Sequence, residues 1–165
     1  MDEKEGTVRF NALSRAEAEA ELLTCCASRR WAAAVAGGRP YGSVTDLLAA
    51  AGTAVRDLEW PDVREALRAH PRIGDRPRGE GRESAWSRGE QAGVGEADRA
   101  AFADANVAYE DRFGHVFLIC ASGRGAEEML AELRERLNND PRTERSVVHG
   151  ELAKITELRL RKLFA

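Results

Sequence analysis

The fold is decided around residues 61–74, which read PDVREALRAHPRIG. Three apolar positions recur there at helical spacing, and His70 continues the same face. These positions are Val63, Ala66 and Leu67. Pro71 disfavours helical geometry at the residue before it, so the helix is expected to end at His70. The pattern predicts an inward-facing imidazole at a helix end. It serves either as a core histidine bonded to a carbonyl or as a proton carrier near neutral pH.

Composition indicates one globular domain. The chain has 165 residues, of which 43% are hydrophobic and 32% charged, and it carries a net charge of −3. That length is enough to bury a substantial core. Because arginines and acids are interleaved, no basic patch indicates binding to nucleic acid or to a membrane surface. No apolar run approaches the roughly 20 residues that span a bilayer.

The termini and the cysteines indicate a reduced compartment. Residues 1–6 are polar and acidic, which argues against a secretory signal. Cys25 and Cys26 are adjacent and Cys120 stands apart, so the spacing implies no disulfide framework. We therefore expect a cytoplasmic protein.

Working outward from His70, the chain predicts an all-α bundle of about seven to nine helices. Three helices are expected to begin at a serine followed three residues later by an acid, the pattern of an N-terminal capping box. These serines are Ser14, Ser43 and Ser87. Residues 1–9 are expected to form a flexible tail, and residues 10–165 a single domain. Residues 74–82 are charged and glycine-bearing, which predicts an exposed loop. Residues 113–120 are nearly all apolar, which predicts an extended buried segment.

Arg159 interrupts the apolar stripe of the last helix, expected over residues 143–163. It lies four residues beyond Ile155 and seven beyond Leu152. A guanidinium keeps its charge and is costly to bury without an anionic partner. Arg159 therefore either extends to solvent near the chain end or pairs with a structural carboxylate. The functional alternative is a bidentate clamp for a substrate carboxylate or carbonyl.

Glu90 has two interpretations of its own. In Ser87-Arg88-Gly89-Glu90 it could complete a capping box. If it points into a cavity with His70, the pair offers a carboxylate and an imidazole for general acid–base catalysis. No histidine or cysteine spacing is typical of a metal site, and no phosphate-binding or nucleotide-binding fingerprint is present.

Seven short motifs, taken in order, resemble the 2-oxo-4-hydroxy-4-carboxy-5-ureidoimidazoline (OHCU) decarboxylases of uric acid degradation. The motifs are Asn11-Ala12-Leu13-Ser14, Cys25-Cys26-Ala27-Ser28 with Trp31, His70-Pro71-Arg72-Ile73-Gly74, Ser87-x-x-Glu90-Gln91, Phe113-Gly114-x-x-Phe117, Ile119-Cys120-Ala121-Ser122-Gly123 and Lys154-Ile155-x-x-Leu158-Arg159-Leu160. The resemblance spans nearly all of residues 10–164. One departure is His115-Val116, where the family has an apolar or proline-containing pair.

The resemblance implies an all-α homodimer that needs no cofactor and no metal. It implies a catalytic set of His70, Glu90 and Arg159. It also implies a second set that binds substrate, with the extended segment contributing main-chain atoms. This second set is Pro71, Ser87, Gln91, Phe113, Gly114, Phe117 and Ile119.

The implied reaction is the decarboxylation of OHCU to (S)-allantoin in purine catabolism, which makes the protein a carboxy-lyase. The partner is then a small-molecule substrate, with no nucleic acid and no membrane. Two alternatives stay open: a non-catalytic interaction module with the same helical fold, and a decarboxylase of a related ureido acid.

Overall fold

The computed structural model describes residues 2–75 and 81–165, and nine helices lie within these ranges. They are α1 (Glu3–Ala12), α2 (Arg15–Leu23), α3 (Arg29–Gly37), α4 (Val44–Arg56), α5 (Trp60–Leu67), α6 (Arg82–Glu90), α7 (Glu96–Phe113), α8 (Ala126–Arg136) and α9 (Pro141–Phe164). The described ranges contain no strand. The all-α prediction is therefore confirmed. Of the predicted loop 74–82, residues 76–80 lie outside the described residues, and Arg82 is already helical.

Serine side chains cap the N-termini of α2, α3 and α4. Ser14 accepts a hydrogen bond from the Glu17 amide, and the Glu17 carboxylate in turn accepts from the Ser14 amide. Ser28 and Ser43 cap α3 and α4 by accepting from the third helical amide. Each contact satisfies an amide that has no partner within the helix. The helix starts predicted at Ser14 and Ser43 are thus confirmed.

The N-terminal segment differs from the predicted flexible tail over residues 1–9, because α1 begins at Glu3. Asp2 caps the helix by accepting from the Glu5 amide at 2.8 Å. Phe10 is fully buried and meets Phe164 edge to face, with 5.5 Å between the ring centroids. A helical cap and a buried aromatic anchor together order a segment that composition alone marks as polar.

Helix α5 ends earlier than predicted, at Leu67 rather than His70. The three apolar positions of this helix are buried, as its periodicity predicts. Residues 68–70 form a turn in which the His70 amide donates to the Leu67 carbonyl at 3.0 Å. Pro71 restricts His70, and the exposed Arg68 and Ala69 bury nothing that would hold another helical turn. His70 therefore lies on the exit turn, half-buried.

Helix α6 corrects the prediction of a helix start at Ser87. The helix begins at Arg82, after Gly81, so Ser87 and Glu90 both lie inside it. The Ser-x-x-Glu spacing here is not a capping box. Ser87 is buried, and Glu90 is the last helical residue.

The chain packs as two compact units, residues 1–66 with 152–165 and residues 67–151. In the first unit, Trp31 is fully buried and its indole donates to the Ala51 carbonyl at 3.1 Å. In the second unit, aromatic and aliphatic side chains form one cluster around Phe102, Tyr109, Phe117 and Met129. That residues 10–165 form a single domain stays a prediction.

The predicted extended buried segment over residues 113–120 is right only in part: residues 117–119 are buried and non-helical, whereas Phe113 is the last residue of α7. Gly114 ends α7 in the left-handed conformation, with φ of 76°. Phe117, Leu118 and Ile119 follow without helical or strand structure and are 2–4% exposed. These three residues are therefore part of the protein interior.

Candidate active site

A cleft of about 230 Å³ in the second unit contains three of the predicted site residues, His70, Pro71 and Ser87. The remaining lining residues are Arg68, Ala69, Glu83 and Ser84. The exit turn of α5 supplies one wall, and α6 supplies the other. A half-buried imidazole facing a buried hydroxyl across a small polar cleft can bind a compact polar molecule and exchange a proton with it.

Glu90 and Gln91 continue α6 beyond Ser87. Glu90 lies three residues after Ser87, hence on an adjacent part of the same helix surface, and it is half-buried. It is not among the residues that line the cleft. Gln91 turns back to the segment that follows His70: its side-chain oxygen accepts from the Gly74 amide at 3.0 Å. Its side-chain nitrogen donates to the Arg72 carbonyl at 3.5 Å, so both ends of the Gln91 amide contact the turn after His70.

The side chains of the segment after α7 are occupied in packing. Phe117 and Ile119 are 2% exposed and belong to the core of the second unit. Phe113 packs against Tyr109 and His115, with centroid distances of 4.7 and 6.0 Å. Residues 117–119 are buried and none of them lines the cleft, so their contact with substrate stays a prediction.

The departure at His115-Val116 has a packing explanation. The His115 ring stacks on Phe113 and meets Tyr109 edge to face at 5.5 Å. Its Nδ1 lies 3.0 Å from the Val116 carbonyl. His115 thus acts as a flat, half-buried side chain within an aromatic group.

A buried polar network holds this segment in place. Glu144 is fully buried and accepts hydrogen bonds from Tyr109 and from Arg136, whose Nη2 lies 2.6 Å from Oε2. Arg136 also donates to the Leu118 carbonyl at 2.9 Å and covers the Phe117 ring at 4.4 Å. Burial, aided by the Glu144 carboxylate, raises the pKa of Tyr109. The network fixes the backbone at Leu118.

Arg159 belongs to the first unit. It is 4% exposed, so it does not extend to solvent, although the chain end is near. Its Nη1 lies 3.5 Å from the Thr24 carbonyl. Burial raises the pKa of the neighbouring Cys26 thiol to about 11, and the positive charge of Arg159 opposes that rise. Of the alternatives that the sequence left open for Arg159, extension to solvent is therefore ruled out.

The OHCU decarboxylase family model matches residues 11–161. The chain belongs to the OHCU decarboxylase family. A named OHCU decarboxylase from Amia calva is 38% identical over 137 residues, which cover 80% of this chain and 78% of that protein. The uric acid degradation bifunctional protein TTL from Arabidopsis thaliana is 36% identical over 154 residues, covering 89% of this chain and 47% of that protein.

A solved structure supports the same assignment. The crystal structure of an OHCU decarboxylase in the presence of (S)-allantoin superimposes with a TM-score of 0.76 at 34% sequence identity. The match covers 87% of this chain and 96% of the other. The chain is thus a family member in fold as well as in sequence, and the family is one of carboxy-lyases.

The buried polar residues that the sequence patterns missed include Asn106, Arg136 and Glu144. Each lies on a helix face that is otherwise apolar, the same signal that singled out Arg159. Arg136 follows Leu133 by three residues, and Glu144 precedes Val148 by four. The apolar stripes of α8 and of the first turns of α9 include Arg136 and Glu144, so the same pattern identifies both residues.

No metal site or membrane span is found in the part of the chain that the structure describes. Over residues 2–75 and 81–165, no three His, Cys, Asp or Glu side chains are grouped as ligands of a metal ion. None of the described helices is both long and apolar enough to cross a membrane. That the reaction needs no metal or cofactor stays a prediction.

Proposed function

We propose that this chain catalyses the decarboxylation of OHCU to (S)-allantoin in urate degradation. The observation that carries the proposal is the half-buried His70 in a polar cleft beside Ser87, in a chain that belongs to the OHCU decarboxylase family. The cleft offers a titratable group and a hydroxyl to a small polar substrate.

The chemistry of the substrate explains how the protein acts without a cofactor. The carboxylated carbon also carries a hydroxyl and adjoins an unsaturated ring carbon. When the bond to the carboxylate breaks, CO2 leaves and the electron pair moves into the ring toward the unsaturated nitrogen, which takes a proton. Loss of the hydroxyl proton and protonation of the carbon bearing the ureido group then give allantoin. The protein has to bind the anion, move protons and choose one face for the final protonation.

We assign His70, Glu90 and Arg159 to these tasks. His70 manages the hydroxyl proton or the proton delivered after CO2 leaves, a general acid–base step worth about 10²–10⁴-fold in rate. Arg159 anchors an anionic or carbonyl oxygen and stabilises developing charge. Arg159 is 4% exposed on an apolar stripe, where a guanidinium is costly unless anionic or hydrogen-bonding groups compensate its charge. Glu90 holds the ureido N–H groups and orients His70.

The remaining predicted residues shape substrate binding. Pro71 and Ser87 line the cleft with His70. Gln91 contacts the turn after His70 through its side-chain amide. Backbone groups of the extended segment, near Phe113, Gly114, Phe117 and Ile119, complete the set. We further propose that residues 10–165 act as a single domain, that the protein is a cytoplasmic homodimer, and that OHCU is its only partner in the reaction.

The test is optical. Freshly generated OHCU is added to purified protein dialysed against EDTA, and circular dichroism follows the appearance of optically active allantoin. The uncatalysed product is racemic, because nothing then selects a face of the ring. We expect catalysed formation of the (S) enantiomer, a loss of about 10²–10⁴-fold in His70→Ala, and a loss of about 10²–10³-fold in Arg159→Met.

His149→Asn provides the matched control, because His149 does not line the cleft. The proposal would be refuted if wild-type protein neither accelerated the formation of allantoin nor changed the racemic product. Activity only on a related ureido acid would move the assignment to that substrate. Full activity of His70→Ala would refute the role of His70 alone. Size-exclusion chromatography with light scattering tests the homodimer.

A further inference from the structure

One face of α7 binds the turn that follows His70. Three side chains of this helix, at positions i, i+7 and i+11, contact three successive residues of the turn. Arg99 donates to the Gly74 carbonyl at 2.9 Å, and Asn106 donates to the Ile73 carbonyl at 2.9 Å. Glu110 accepts from Arg72 at 2.9 Å. We call these three residues the α7 clamp: Arg99, Asn106 and Glu110.

Close packing adds to the clamp. Gly74 has φ of +96°, a conformation that L side chains rarely adopt. A Cβ at Gly74 would lie 3.0 Å from the Cβ of Phe102, which is on the same face of α7. Ile73 is 6% exposed within the core of the second unit. The turn is thus held against α7 by three polar contacts, a glycine contact and a buried aliphatic side chain.

The clamp is two residues from the histidine. Between His70 and the first clamped residue, Arg72, lies Pro71, whose ring fixes its own φ and restricts His70. A displacement of residues 72–74 is therefore expected to displace the His70 imidazole as well. We propose that Asn106 and Arg99 are positioning residues for His70, acting through the backbone of residues 72–74. This inference rests on the proposed function, in which His70 moves the proton.

Asn106 shows why the clamp is more than ordinary packing. It is 4% exposed, and its side-chain oxygen makes no hydrogen bond to any residue that the structure describes. A buried polar atom without a partner is unfavourable, so the unbonded oxygen offsets part of the stability that the hydrogen bond to Ile73 contributes. What asparagine adds is one donor aimed at the Ile73 carbonyl.

The experiment removes that donor without emptying the site. Asn106→Leu keeps a similar volume and removes the unbonded oxygen, so we expect its melting temperature to stay within a few degrees of wild type. A misplaced reacting group costs up to about 10²-fold in rate. We expect kcat for OHCU to fall about 10- to 100-fold while KM changes little. Asp104→Asn, an exposed change on the same helix, is the matched control and should keep wild-type kinetics.

A second pair of variants keeps the test independent of how Asn106→Leu folds. Arg99→Leu removes the donor to the Gly74 carbonyl, and Arg99→Lys keeps one. We expect Arg99→Leu to lose kcat and Arg99→Lys to recover most of it. A merely structural role would move the melting temperatures of the pair and leave kcat alike.

A spectroscopic readout separates the inference from the proposed function. NMR of the ring resonances of His70, assigned with His70→Ala, should shift in Asn106→Leu and stay unchanged in Asp104→Asn. If wild type makes no allantoin, the proposed function fails while the NMR comparison still tests positioning. If wild type is active and Asn106→Leu keeps its kcat and its His70 resonances, the positioning inference is overturned. A change confined to KM would overturn it equally.

Discussion

Replacing Glu144 with glutamine should destabilise the protein far more than any surface charge change. Glu144 is fully buried, and its two oxygens accept hydrogen bonds from Tyr109, from two nitrogens of Arg136 and from Asn139. Glutamine keeps a single acceptor and turns an NH2 group toward donors. It also removes the negative charge that balances a guanidinium with a 5% exposed side chain.

The magnitude follows from the burial of the pair. Burial by itself lowers the pKa of Arg136, and the hydrogen bonds and charge of Glu144 raise it above its ordinary value. Breaking one partner of a buried pair costs about 3–5 kcal/mol, because the other charge stays buried. For a chain of this length, each kcal/mol lowers the melting temperature by about 2–4 °C, so the expected decrease is about 6–20 °C.

The assay is urea unfolding followed by circular dichroism at 222 nm, together with a thermal melt. Glu128→Gln is the matched control, since Glu128 pairs with Arg124 at 3.0 Å but is 61% exposed. An exposed pair contributes less than about 1 kcal/mol. A combined Arg136→Met and Glu144→Leu change should recover much of the loss, because it removes both charges.

A result within about 1 kcal/mol of wild type for Glu144→Gln would refute this reasoning. It would mean that the carboxylate carries no charge in the folded protein, or that water reaches Arg136. Equal losses in Glu144→Gln and in the double variant would refute the account based on unbalanced charge and leave packing as the cause.

Two further predictions concern pH and substrate charge. Burial raises the pKa of the Cys26 thiol from 9.0 to about 11, so the folded state favours the neutral thiol. The free energy of unfolding of wild type relative to Cys26→Ala should therefore be constant below pH 9. It should fall by about 2–3 kcal/mol as the pH rises to 11. Urea unfolding under reducing conditions measures it. Arg68 is exposed at the rim of the cleft, so Arg68→Ala should lower kcat/KM for the anionic substrate about 2- to 5-fold at low salt and less at high salt.

Each of these has a control in the same chain. Cys120 is half-exposed, and Cys120→Ala makes the same chemical change at a less buried thiol for comparison. Arg64 is exposed one turn earlier, does not line the cleft, and should tolerate alanine without a kinetic effect. A salt-independent effect at the rim, or identical effects of both arginine changes, would contradict the electrostatic explanation. A flat stability difference from pH 9 to pH 11 would contradict the thiol assignment.

The sequence by itself determined the helical class, several helix starts and the position of Arg159 on an apolar stripe. These features depend on short-range regularities. A serine hydroxyl reaches an amide three residues away, as at Ser14 and Ser43, and a 3.6-residue period assigns Val148, Leu152 and Ile155 to one face. Arg159 falls on that face by the same count. The His70-Pro71 motif also identified two of the residues that line the cleft.

Only the tertiary structure decided what those local patterns do. The Ser-x-x-acid spacing at Ser87 is the same as at Ser14, yet Ser87 lies inside α6 and faces the cleft. Asn106 donates to the Ile73 carbonyl, 33 residues away in the chain, and one of the donors to Glu144 is Tyr109, 35 residues away. A local pattern carries no information about such distant partners, because their hydrogen bonds exist only once packing has excluded water and brought the two segments together.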